Sequence, residues 1–273
     1  MPLSNHDVPN DGYLIMTEHE ETGSVEAGMP EESGTASTES ISFVQQIILV
    51  FSDPANAFEK LVTSPRWIGA FLLVVIVSIA GTQISYPLVM DMQREMAERS
   101  IENRQLTPEQ EQMAMQRFSQ SDTPVNRIIT IVFQLLGQLF WLVIMAGILM
   151  FGGNVLLGGE STFKTLLAIT AHGWLVMIPK TLLTVPLMLA KGSAAVATSL
   201  QILIPQDQWM TPLGAALGAV DLFAIWMIFL LATGISIAYR FSRAKAATLV
   251  ISLYVMMALV GVGLMAVFGR MFG

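Results

Sequence analysis

Lys180, Asp221 and His172 are the side chains whose chemistry most needs explaining. Each stands inside a long apolar run, where charged groups are costly and therefore pair, face a bundle interior or mark an ion path. Lys180 lies ten residues before Ala190, about 15 Å from that end of its helix at 1.5 Å per residue. Asp221 lies nine residues after Pro212, about 14 Å inside the same face. The two runs are antiparallel, so the depths agree and an intramembrane ion pair is expected. The functional alternative is a proton or cation relay through His172, Lys180 and Asp221. His172 and Lys180 are eight residues apart, so about 80° separates them around an ideal helix. They share a broad face rather than a line. His172 by itself reads as a hydrogen-bonded interior histidine rather than a metal ligand.

Other chemistries lack their residues. Cysteine is absent, which removes disulfides, thiolate nucleophiles and Cys-based zinc or iron–sulfur sites. The remaining histidines, His6 and His19, fall in an acidic tail, and no HExxH pair exists. GGESTF holds no GxSxG elbow, and Ser161 has no histidine near it in sequence. P-loop and Rossmann fingerprints are missing. The acidic pairs Glu20-Glu21 and Glu31-Glu32 sit in the tail, where no rigid scaffold would preorganise them. The chain is expected to be no enzyme and to hold no cofactor or metal.

The elements that position the three polar groups follow from composition. Of 273 residues, 53% are apolar and only 13% charged, and mean hydropathy is +0.60. A soluble domain carries about 25% charged residues, so this is a membrane chain. The net charge of −7 belongs to residues 1–40, which hold nine acids and neither Lys nor Arg. Residues 41–273 hold 14 basic and 12 acidic groups. No basic face exists for nucleic acid.

The tail, 1–40, is rich in Glu, Ser, Thr, Gly and Pro and is expected to be disordered. No basic region precedes an apolar stretch, so a cleaved signal peptide is not expected. Residues 41–66 read as interfacial and lead-in helices. ISFVQQIILVF is 11 residues long, too short for a layer that needs about 20, and SDPANAFEKLVTSPRW offers Asp53 as cap and Pro54 as first helical residue. The membrane domain, 67–273, is expected to have five spans, at about 67–90, 128–151, 163–190, 212–238 and 247–268. The first span is followed by a charged helical excursion, 91–126, divided by a cap at Thr107-Pro108. Gly152-Gly153-Asn154 reads as a break, Pro179 and Pro186 as kinks, and 193–205 as a surface stretch too short to span. The fold class is thus an all-α integral membrane protein with five transmembrane helices, an interfacial N-terminal helix and a disordered acidic tail.

Orientation from charge is close to even. Lys60, Arg66, Lys164, Arg240, Arg243 and Lys245 fall on the tail's side. Arg94, Arg99, Arg104, Arg117, Arg127, Lys191 and Arg270 fall on the other. The compact cluster Arg240, Arg243 and Lys245 adjoins two spans and favours a cytoplasmic N-terminus. Small residues allow helices to approach closely in lipid. Gly214 and Gly218 form a GxxxG in the fourth span, Gly261 and Gly263 thin the fifth, and Gly269 and Gly273 close it. Internal packing is the expectation, with self-association the alternative. Met90, Met92, Met96, Met113 and Met115 surround the long loop, as an adaptable partner surface or as filler.

Three stretches carry a family resemblance: FSDPANAFEKLVTSPRW before the first span, GGESTFKTLLAI opening the third and VDLFAIWMIFLLATGISIAYRFSRAKA through the fourth. In that order and in a five-span setting they resemble bacterial Yip1-domain membrane proteins, over about residues 43–269. The resemblance implies a five-helix membrane fold with a cytoplasmic N-terminus, and brings no catalytic residues. Its eukaryotic branch binds small GTPases in vesicle trafficking. That branch's Asp-Leu-Tyr-Gly-Pro signature is lacking here, where Ser-Pro-Arg-Trp stands instead, so a GTPase partner is not implied. Some bacterial members look like accessory components of exporters. The expected role is therefore a non-catalytic scaffold or accessory subunit in a bacterial cytoplasmic membrane, with a membrane-protein partner or a second copy. The alternative is a small permease or channel with a polar site between spans three and four.

Overall fold

The computed structural model describes residues 42–103, 109–110, 112–113, 116 and 123–272. The acidic tail, the Thr107-Pro108 cap, Met115 and Gly273 lie outside the described residues.

The chain enters through two short helices that share one capping residue, Asp53. Ser42 caps α1 (Phe43–Ser52) with a reciprocal box: the Gln45 amide donates to Ser42 Oγ at 3.2 Å, and the Ser42 amide to Gln45 Oε1 at 3.0 Å. Asp53 then ends α1 and caps α2 (Pro54–Thr63), accepting from the Asn56 amide at 3.3 Å with Pro54 in the first helical position. The α1 helix keeps Phe43, Val44 and Ile48 exposed, and α2 turns inward, leaving Ala57, Phe58 and Leu61 at most 1% exposed.

Five further helices are long and apolar enough to cross a membrane, over Ile68–Glu98, Pro124–Leu156, Phe163–Lys191, Leu222–Tyr239 and Arg243–Val267. The first belongs to α3 (Ile68–Asn103) and the second to α4 (Pro124–Met150), which Thr123 caps. The Gly152-Gly153-Asn154 break expected at the end of α4 is instead a wide π-helical turn, Phe151–Leu156. The glycines are needed there for close approach. A Cβ on Gly153 would collide with the Tyr239 ring, and one on Gly152 would lie 2.7 Å from Leu249.

The third span is α5 (Phe163–Gly173), a 3₁₀ turn at Trp174–Val176, and α6 (Met177–Lys191). Pro179 cannot donate to the Leu175 carbonyl, which lies in this 3₁₀ turn, so the expected irregularity falls one turn upstream of the proline. Every residue of Thr165–Gly173 is buried, the mark of a helix enclosed on all sides. It packs against α2, α3, α4 and α8, and so forms the centre of the bundle.

The fourth span differs most from expectation. Residues 212–238 form two helices, α7 (Pro212–Ala219) and α8 (Leu222–Tyr239), parted at Val220-Asp221. Val220 leaves helical geometry at φ −91°, ψ 82°, and Asp221 is extended. Asp competes for backbone N–H groups and so favours a cap over a helix interior. After an αL turn at Arg240, α9 (Arg243–Phe272) forms the fifth span. It buries Ala246, Leu249 and Val250, while Gly261 and Gly263 meet no other atom within 4 Å of a Cβ. The expected packing role of Gly261 is not seen among the described residues.

The ring of Phe58 wedges between α5 and α8, 3.2 Å from the Cβ position of Gly234. Phe58→Ala should therefore destabilise the protein by about 3 kcal/mol or more, the usual cost of emptying a core aromatic site. Val44→Ala on the exposed face of α1 should change stability by less than about 0.5 kcal/mol. Unfolding midpoints in detergent would check both, and a Phe58→Ala loss near that of Val44→Ala would show that α2 merely rests on the bilayer.

Candidate functional site

The geometry starts from the short length of α8. Asp221 is 19 residues from Arg240, about 28 Å along the axis. Lys164 and Lys191, at opposite ends of the third span, are 27 residues apart, about 40 Å. The N-terminus of α8 therefore lies roughly 10 Å short of the far charged face. Its first backbone N–H groups have no helical partners and little water to replace them.

Asp221 answers that need. Its Oδ1 accepts from the amides of Phe223 at 2.9 Å and Ala224 at 3.1 Å. Its Oδ2 accepts from Lys180 Nζ at 3.2 Å and from the Thr198 hydroxyl. The Asp221 side chain is 7% exposed and that of Lys180 35%. Four donors converge on one carboxylate, so its charge is spread over a helix end, a hydroxyl and an ammonium. The structure brings Lys180 and Asp221 together at the depth their spacing suggested, with Asp221 as a cap rather than within a helix.

The chain between α6 and α8 is folded to deliver Thr198. Gly192 closes α6 at φ 63°, and Ser199 pairs with Asp221 in a single antiparallel bridge. The Leu200 amide donates to the Val220 carbonyl at 3.1 Å, and the Tyr254 hydroxyl donates to the Ala219 carbonyl at 2.6 Å. Both halves of the break are thus supplied with partners. Gln201 Nε2 donates to the Gly214 carbonyl at 2.9 Å, and Trp209 Nε1 returns a bond to the Gln201 carbonyl at 3.0 Å. A Cβ on Gly214 would meet the backbone carbonyls of Gln208 and Trp209, and one on Gly218 would lie 3.0 Å from the Gln201 amide. The two glycines of the GxxxG therefore face this connecting segment, while α7 itself also packs on the fifth span. Two 3₁₀ turns, Leu200–Leu203 and Gln206–Gln208, leave Ile202, Leu203 and Met210 about 70% exposed.

His172 stands apart from this network. It is 1% exposed, and its Nδ1 donates to the Ala168 carbonyl at 2.8 Å, while Nε2 has no protein partner among the described residues. Eight residues separate it from Lys180, about 12 Å along the span. No described hydrogen bond links it to the ion pair. Among the described residues, no group of three His, Cys, Asp or Glu is placed to hold a metal.

The basic cluster divides. Lys245 Nζ donates to the Leu157 carbonyl at 3.2 Å and lies 4.0 Å above the Phe241 ring, which fastens the fifth span to the π-turn of the second. Arg240 and Arg243 are exposed and have no carboxylate within ion-pairing reach among the described residues. Sequence reasoning missed a second polar joint, in which the Tyr239 hydroxyl donates to Asn154 Oδ1 at 2.6 Å and Asn154 Nδ2 donates to the Ser161 carbonyl at 3.1 Å. An amide directly after two glycines in an apolar helix was the available signal.

The sequence model of the Yip1 domain matches residues 48–265. The chain belongs to the Yip1 domain family. It has no match among the curated proteins or the solved structures. The matched stretch takes in α2, the π-turn, Lys180, Thr198 and Asp221, so the capped break lies within the Yip1 domain of this integral membrane protein.

If the clamp holds the fourth span together, Asp221→Ala should cost about 3 kcal/mol, because it removes the cap and strands a charge. Asp221→Asn keeps a capping oxygen and should cost less. Lys180→Met should cost about 1 kcal/mol or more, and Lys180→Met with Asp221→Asn should lose less than the two singles combined. Thermal unfolding of the four variants in one detergent reads this coupling, and strictly additive losses would show that the contact carries none.

Proposed function

We propose that the protein acts without catalysis, as a scaffold or accessory subunit of a membrane complex, with exporters the leading class of partner. It would sit in a bacterial cytoplasmic membrane with its N-terminus in the cytoplasm. One observation carries the reading. In the most apolar stretches of the second and fifth spans, only 6% of residues are buried within the chain. A five-helix unit whose second and fifth spans pack along one side, on α5, α7 and α8, leaves their outer faces to lipid or to another protein. Gly261 and Gly263, open on the fifth, suit close helix approach. The polar network supports the same reading from the other side. A carboxylate that already accepts from four donors is committed to structure.

The second reading, a small permease or channel, is favoured by the broken fourth span. Discontinuous helices with half-helix N-termini near mid-membrane recur at transporter substrate sites, and Lys180 keeps 35% of its side chain exposed there.

Gly261→Leu tests the first reading, because the position is open in the chain and the substitution should leave the unfolding midpoint unchanged. In native-membrane nanodiscs, an N-terminally tagged chain should migrate as a complex and the Gly261→Leu variant should shift toward the lone chain. A parent protein recovered as a monomer would overturn the proposal. Proteoliposome flux abolished by Asp221→Asn, in protein that remains folded, would establish the permease instead.

A further inference from the structure

A groove of about 240 Å³ opens where the α1–α2 junction meets α8 and α9, with Asp53, Phe229, Ala232, Thr233, Arg243 and Ala247 among its lining residues. Its two ends differ in chemistry. The floor is apolar, since Phe229, Ala232 and Ala247 provide it and the Thr233 hydroxyl is spent on the Phe229 carbonyl at 2.9 Å. Phe229 is 56% exposed, so the groove is open to the side, toward the hydrocarbon layer. The rim carries Arg243 at the first turn of α9. Asp53 shares that rim but is already the cap of α2, and the Ser52 hydroxyl donates to the Ile48 carbonyl at 3.0 Å.

Depth agrees with chemistry. Phe229 lies ten residues before the end of α8, about 15 Å below the level at which Arg240 and Arg243 flank the α8–α9 turn. That is a headgroup level over a chain-length of hydrocarbon. Lys245 is engaged by the Leu157 carbonyl and the Phe241 ring, whereas Arg240 and Arg243 have no carboxylate in reach among the described residues. An exposed arginine beside an apolar slot at the membrane face, with Asp53 turned to the Asn56 amide, fits one molecule with both characters. We propose that the groove binds an anionic phospholipid, with its phosphodiester headgroup on Arg243 and the upper part of one acyl chain along Phe229, Ala232 and Ala247. The guanidinium fork suits a phosphate oxygen pair. The lipid would fill the seam between the lead-in helices and the last two spans.

Native mass spectrometry of the full chain in mixed micelles tests this. Phosphatidylglycerol, phosphatidylcholine with the same acyl chains, and inorganic phosphate are titrated in parallel. Phosphatidylglycerol should bind more tightly than phosphatidylcholine. Arg243→Gln should weaken phosphatidylglycerol about tenfold, as for a lost hydrogen bond to a charged group. It should weaken phosphatidylcholine, whose choline cation already disfavours the arginine rim, by less. Lys164→Gln, a basic residue on the same face but outside the groove, should have no effect. Ala247→Leu should weaken both lipids by filling the slot, and if it fails to fold, the Arg243 and Lys164 comparison decides alone. Equal binding of the two lipids, or equal effects of Arg243→Gln and Lys164→Gln, would overturn the proposal. Displacement of phosphatidylglycerol by inorganic phosphate at matching affinity would assign the rim to free phosphate and overturn it too.

Discussion

A helix that begins inside an apolar layer presents N–H groups that no solvent can satisfy. That constraint organises the far half of this protein. Because α8 starts at Leu222, an acceptor must stand at residue 221, and a carboxylate is the strongest one available. The carboxylate brings a charge, which is itself costly at that depth. Lys180 offsets the charge from α6, and Thr198 takes up the remaining lone-pair capacity. Each solution raises the next requirement. Lys180 must face α8, so the third span changes register through the 3₁₀ turn before Met177. Thr198 must reach inward, so the connecting segment doubles back and pairs Ser199 with Asp221. The carbonyl end of α7 needs a donor, and Tyr254 supplies it from the last span.

The near half is held differently. There the bundle closes around α5, buried without interruption from Thr165 to Gly173. Lipid tails are as apolar as leucine, so helices in a bilayer gain little by hiding hydrophobic surface from one another and associate through close packing and polar contacts. The glycines at the contacts fit that account. Gly234 admits Phe58 and Ile169, Gly173 admits Leu231, and Gly153 admits Tyr239. The Tyr239–Asn154–Ser161 joint then adds hydrogen bonds where the π-turn widens the helix. The two halves thus use small residues and polar groups in opposite proportion.

What could be read from the residues alone follows the same division. The five spans were legible because a layer of fixed thickness demands long uncharged runs. The Lys180–Asp221 contact was legible because a stranded charge is so unfavourable that matching depths nearly imply pairing. The break at Val220-Asp221 was not. VDLFAIWMIFLL is as apolar as any helix interior, and whether Asp caps or continues a helix is settled by partners 23 and 41 residues away, Thr198 and Lys180. Gly152-Gly153 looked like a stop because glycine weakens helices. In place, the missing side chains admit Tyr239 and Leu249. The GxxxG of α7 packs internally as expected, but what comes close is the backbone of Gln208 and Trp209 at Gly214 and the Gln201 side chain at Gly218.

The same four-donor carboxylate bears on what kind of protein this is. A transport site must bind strongly enough to select and weakly enough to release, so at least one of its groups needs an alternative partner at similar free energy. Asp221 has no such slack while α8 remains a helix. Protonating it would leave two backbone amides facing a weaker acceptor and an ammonium without its counter-charge. Movement at this point would mean unwinding the first turn of α8, which is tied through Ala219 to Tyr254 and hence to the fifth span. The chain's unspent capacity for interaction lies elsewhere, on the outer faces of the second and fifth spans and at Arg240 and Arg243, which have no carboxylate in reach among the described residues. An interior that is closed and an exterior that is open support the proposed accessory role.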